Sequence, residues 1–157
     1  MRYPDRTILL IFILISSVFT ACDDNYVSSI PTYPVSLQLN LTSTYPVFKN
    51  SFNQFLLFEK RIYETDRIGF GGIIIYSGFD DAGNTGYYAF DMACPYEAQS
   101  IVRVYPIEGS LGQVKCEKCG SVYDVSFGFG NPVSGPATEI LKRYKTTVTN
   151  DVLYIYN

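Results

Sequence analysis

The chain has 157 residues, 47% of them apolar and 17% charged, with a formal charge of −3; this is enough for one domain with its own core. It has no basic run, which argues against a nucleic-acid partner. It also has no histidine, which excludes a Ser/His/Asp hydrolase and removes the commonest general base and the commonest metal-binding ring.

Arg2 and Arg6 precede an apolar run from Ile8 to Ile15, then small and polar residues up to Cys22. The run is too short to span a bilayer, and the three-part shape predicts a secretory signal over 1–21. Phe19-Thr20-Ala21-Cys22 resembles a bacterial lipobox. Cleavage before Cys22 would free its thiol for a lipid and hold the chain on a membrane of the bacterial envelope, facing the periplasm or the cell surface. The alternative is an ordinary signal peptide with Cys22 as a bystander. Residues 22–36, with Asp23, Asp24, Pro31 and Pro34, predict a lipidated tether, and 37–157 a single domain.

Fourteen Tyr and eleven Phe favour β structure. Val35 to Leu41 alternates as a half-buried strand does. Phe48 to Tyr63 reads as either a short helix or an extended segment. Gly71 to Tyr76 predicts a buried strand, Gly78 to Gly86 a turn, and Tyr87 to Asp91 the returning strand of a hairpin. Ile101 to Tyr105 alternates; Gln113 to Lys115 and Ser121 to Asp124 flank a short loop; Gly128 to Gly135 reads as a Gly/Pro loop. Arg143 to Thr149, a turn at Asn150-Asp151, and Val152 to Tyr156 close the chain. Many short strands with turns between them predict an all-β, antiparallel sandwich or barrel-like domain.

The residues that carry chemistry are cysteines. Cys94-Pro95-Tyr96 and Cys116-Glu117-Lys118-Cys119-Gly120-Ser121 stand on two predicted loops, and thiols delivered from two loops can grip a metal centre from opposite sides. Cys94, Cys116 and Cys119 are the candidate ligands, with Tyr96 as a candidate fourth; Glu97 and Glu117 are further oxygen donors nearby. Tyr96 is one of fourteen tyrosines, and a surface or packing role is the plainer reading for it.

Residues 70–157 resemble a Rieske domain in motif order. Tyr88 to Asp91 leads into Cys94-Pro95-Tyr96; Cys116-x-x-Cys119-Gly120-Ser121 precedes Tyr123-Asp124; Gly135-Pro136-Ala137 stands where the family places a shielding loop; Leu141 to Tyr144 and a final hairpin match the family's ending. The resemblance implies a Rieske-like β-sandwich with two cluster-binding loops and a terminal hairpin. It also implies a [2Fe-2S] cluster, electron transfer and a redox partner. The family holds one iron by two thiolates and the other by two imidazoles. Here Tyr96 and Cys119 stand at the imidazole positions, and Gln99 and Lys118 where some members have a disulfide.

Three outcomes are therefore open at this site. A cluster could be held by Cys94, Cys116, Cys119 and Tyr96, at a potential shifted toward that of all-cysteine ferredoxins. A single zinc or iron ion could sit among three thiolates and an oxygen. A disulfide could form with no metal, leaving a degenerate binding or structural module. An enzyme acting alone is the weakest reading, since Rieske-type oxygenases need a second iron domain for which this chain has no room.

Overall fold

A computed structural model describes residues 27–80 and 82–157; the predicted signal segment and Cys22 lie outside the described residues. Among the described residues, eleven strands form two antiparallel sheets, with one short helix. The strands are β1 (Val35–Asn40), β2 (Gln54–Phe58), β3 (Arg67–Ile68), β4 (Ile73–Phe79), β5 (Thr85–Asp91), β6 (Val104–Pro106), β7 (Gln113–Cys116), β8 (Val122–Asp124), β9 (Asn131–Ser134), β10 (Arg143–Thr149) and β11 (Val152–Tyr156), and helix α1 is Pro46–Asn50. The larger sheet runs β2-β4-β5-β10-β11-β1-β3, the smaller β6-β7-β8-β9. The all-β antiparallel class read from the sequence is the class observed.

Strand periodicity divides the apolar residues between two cores, because successive side chains point to opposite faces. In β4, Ile73 and Ile75 join Leu37, Leu39, Leu153 and Ile155 in one core. Ile74 and Tyr76 face the other way, into a second core with Phe90, Met92, Val104, Val114 and Tyr123. A strand covered on both faces reads as a continuous apolar run, as Ile73-Ile74-Ile75 does. The second core lies between the two sheets, and Cys94 and Cys116 belong to it.

The undecided stretch from Phe48 to Tyr63 contains both alternatives in succession. Pro46 starts α1, Phe48 is buried, and the chain turns at Asn53 (φ 56) into β2. Two segments differ from expectation. Of Ile101 to Tyr105, only Val104 and Tyr105 lie in a strand. The Val102 N–H instead donates to the Gln99 carbonyl, and its own carbonyl accepts from Cys94, so that residue closes a loop. The Gly/Pro loop from Gly128 to Gly135 contains β9, an edge strand paired only with β8 across a bulge at Val122/Tyr123. Pro132 is tolerated there because an edge strand has one side that needs no amide donor.

The terminal hairpin pairs β10 with β11 around Asn150-Asp151, both at positive φ (51° and 61°), the pairing expected of a tight two-residue turn. Residues 27–34 carry no helix or strand and are mostly exposed, with Ile30 the one buried side chain among them. Ile30 is 1% exposed, and the Lys142 ammonium donates to the Ile30 carbonyl and the Thr32 hydroxyl, each at 2.9 Å.

Candidate metal centre

The first loop leaves β5. Phe90, Met92 and Cys94 occupy alternate positions and all enter the second core, so strand periodicity aims the Cys94 thiol between the sheets. The loop's base is fixed by Asp91, which is fully buried. Its Oδ1 accepts from the Gly71 and Ala93 amides at 2.9 and 2.8 Å. Its Oδ2 accepts from the Phe70 amide at 2.9 Å and the Tyr144 hydroxyl at 2.6 Å. A buried carboxylate is costly unless hydrogen-bonded, and four donors meet its capacity. Burial and the adjacent Asp91 carboxylate push the Tyr144 phenol well above its ordinary value, so it remains a donor. Beyond Asp91 the loop closes on itself. The Glu97 and Ala98 amides donate to the Cys94 carbonyl at 3.2 and 2.9 Å, and the Cys94 amide donates to Val102 at 2.9 Å.

The second loop joins β7 to β8. Gly120 donates to the Cys116 carbonyl at 2.8 Å, and Cys116 donates to the Ser121 carbonyl at 2.9 Å. Gly120 has φ +76°, a conformation glycine adopts without steric cost. The turn aims the Lys118 and Cys119 amides at the Cys116 sulfur, and donors so placed favour a thiolate there.

The two loops bring three thiols together. The sulfurs of Cys94, Cys116 and Cys119 all lie within 4.8 Å of one another, with Cys94 and Cys119 at 3.6 Å. Cys94 and Cys116 are buried and Cys119 is half-buried. The fully buried Tyr123 places its hydroxyl 3.4 Å from the Cys94 sulfur. The Ser121 hydroxyl lies 3.2 Å from the Cys119 sulfur and accepts the Ala137 amide at 3.0 Å. Gly135, at φ +89°, makes that approach possible: a Cβ there would meet the Ser121 Cα at 2.5 Å.

Environment divides the thiols. Burial pushes the Cys116 thiol up to about 12; the Cys94 and Cys119 thiols add to this and the Cys119 and Lys118 amides oppose it. Burial also acts upward on Cys119, but the Ser121 hydroxyl and amide and the other two thiols outweigh it, so the net shift is downward. Cys119 therefore ionises before Cys116. Tyr123 is raised by burial first, then by its contact with Cys94.

Of the sequence-predicted site residues, the structure brings Cys94, Cys116 and Cys119 together. It places Tyr96 on the first loop with its side chain 57% exposed. Glu97 pairs with Lys118, Oε2 to Nζ 2.6 Å, tying the first loop to the second; Glu117 is exposed. Tyr123 and Ser121 entered the sequence reading only as neighbours of a motif, yet they touch the thiols. The one sequence signal for them is their place just after the Cys-x-x-Cys turn. The N-terminal segment also reaches this end of the domain. The Ser29 hydroxyl sits 2.8 Å from the Pro95 carbonyl and 2.6 Å from Glu139 Oε2, and the Ser28 hydroxyl and the Ser29 amide each lie 2.9 Å from Glu139 Oε1.

No protein-family model matches the sequence, and no curated protein matches it. Among solved structures, one similar chain belongs to the structure described as "Complex of reduced oxygenase and oxidized ferredoxin in carbazole 1,9a-dioxygenase". It has a TM-score of 0.46 and 16% identity, over 76% of this chain and 99% of that one. What the chain itself presents is an all-β domain whose two loops converge three cysteines into a group able to hold a metal ion.

Proposed function

We propose that this chain is an envelope lipoprotein whose Cys94, Cys116 and Cys119 bind one thiophilic metal ion, iron or zinc, between the two loops. The observation that carries this reading is the mutual spacing of the sulfurs. A tetrahedral ion with metal–sulfur bonds of about 2.3 Å holds its sulfurs about 3.8 Å apart. The thiols here lie within 4.8 Å of one another, two of them at 3.6 Å. The Lys118 and Cys119 amides aimed at Cys116 offset part of the burial that raises its thiol, so a metal binding there must displace a proton.

A Rieske-type [2Fe-2S] cluster fits less well. It needs four ligands shared two and two between separate irons, and ligands on different irons stand farther apart than ligands on one. Three thiols drawn into one group, with no imidazole in the sequence, suit a single ion. Tyr96 or a water would take the fourth position. With iron, the centre supplies one-electron chemistry to a redox partner in the envelope; with zinc, it locks the loops together.

The test is the metal content and visible spectrum of protein purified anaerobically. One equivalent of zinc without colour, or one of iron with thiolate-to-iron absorbance, supports the reading. Two irons with acid-labile sulfide would replace it with a cluster. A Cys94–Cys119 disulfide in native, metal-free protein would replace it with the cluster-free binding module.

A further inference from the structure

The described chain begins at the cysteine-bearing end of the domain. Ser28 and Ser29 are held by Glu139 and by the Pro95 carbonyl, and Pro95 lies between Cys94 and Tyr96. From there the segment runs past Lys142 to β1, which starts at Val35. Only residues 23–27 separate this anchored point from Cys22.

From Cys22 to Ser28 an extended chain spans at most about 21 Å. A domain of this length has a radius of gyration of about 14 Å and is roughly 35 Å across. The leash is thus shorter than the domain it holds, and it is attached at one end. The opposite end carries the exposed Phe79, Leu111 and Phe127. Phe79 closes the β4–β5 hairpin far from Asp91, and Leu111 and Phe127 flank the Gln113–Asp124 end of β7 and β8. That end cannot reach the membrane that holds Cys22. The cysteine-bearing end can, and it exposes apolar side chains: Val27 is 84% exposed, Ile101 79% and Tyr96 57%. Ile101 flanks the loop through the Cys94–Val102 hydrogen bond, and Tyr96 follows Pro95.

We infer that the cysteine-bearing end of the domain rests on the lipid surface, with Val27, Tyr96 and Ile101 at the boundary between headgroups and acyl chains. This rests on the lipid-anchor reading of Cys22. The short leash brings these side chains to the bilayer, and their apolar surface gains by leaving water. The three-cysteine site then faces the membrane.

The chain has no tryptophan, so a single introduced indole reports its own depth. Full-length Ile101→Trp and Phe127→Trp proteins, produced in a host that processes lipoproteins, are reconstituted in phosphatidylcholine vesicles with brominated acyl chains. The mass of each protein shows whether Cys22 is acylated. Acylated Ile101→Trp protein is expected to be quenched at least twofold more than acylated Phe127→Trp protein. Equal or reversed quenching in acylated protein overturns the orientation and leaves the anchor standing. A mass without acyl chains overturns the anchor and the orientation with it. Metal content is measured on the same samples, so the fate of the metal reading is separate from both.

Discussion

Replacing Asp91 by Asn tests whether one buried carboxylate organises the first cysteine loop. The carboxylate accepts four hydrogen bonds, two at each oxygen, with no exposed surface. The amide of Asn keeps one acceptor and turns the other into a donor, which then faces two donors. Each buried donor left without a partner costs about 1–3 kcal/mol, so the two together should cost about 2–6 kcal/mol. For a domain of this size a loss of 1 kcal/mol lowers Tm by about 4 °C, so the melting midpoint should fall by roughly 8–24 °C. Tyr144→Phe removes one donor and keeps the ring; it should cost about 1.5–3 kcal/mol, or roughly 6–12 °C. Calorimetry on the reduced domain measures both. Asp91→Asn should also speed the reaction of Cys94 with a thiol reagent, because the base of its loop is released. A drop under about 4 °C for Asp91→Asn, or a larger drop for Tyr144→Phe, would refute the reasoning.

Three other outcomes are expected. Gly135→Ala puts a Cβ into the Ser121 backbone at a φ of +89°; it should cost about 2 kcal/mol or more, read as a lower urea midpoint at unchanged m. Ser121→Ala strands the buried Ala137 amide and removes a partner of Cys119; it should cost about 1–3 kcal/mol and slow the reaction of Cys119 with iodoacetamide near neutral pH, as the thiol rises. Tyr123 and Tyr144 are both raised above the ordinary phenol value of 10.0 when folded. The unfolded chain therefore loses those protons first, and stability present below pH 10 should decline as the pH climbs above it. Urea midpoints from pH 8 to 11 measure this, and Tyr144→Phe should flatten the decline.

The sequence was most legible where one face of a strand meets a core. Val35 to Asn40 alternates buried and exposed residues along its whole length, and the Asn150-Asp151 turn marks its hairpin by residue type alone. Ile101 to Tyr105 has the same alternation and is mostly not strand, because the Val102 amide and carbonyl serve the first loop. Alternation reports which side chains want burial, and says nothing about where the backbone's hydrogen bonds go. The convergence of Cys94, Cys116 and Cys119 could be foreseen because cysteine is rare in the chain and the spacing is short. Tyr123 could not, being one of fourteen tyrosines and singled out only by a bulged edge strand and a packed core. Asp91 was readable as a strand end; its four donors come from three separate parts of the chain.

The Lys118–Glu97 pair has a consequence for how the site answers its surroundings. A covalent link between these loops would be open to attack by free thiols, and its integrity would follow the redox poise of the compartment. An ion pair offers nothing for a thiol to attack. Its hold weakens with ionic strength instead, the more so because the Lys118 end is half exposed. The Lys118–Glu97 tie itself therefore loosens with rising salt and not with the redox state of the medium, which acts on the three thiols beside it.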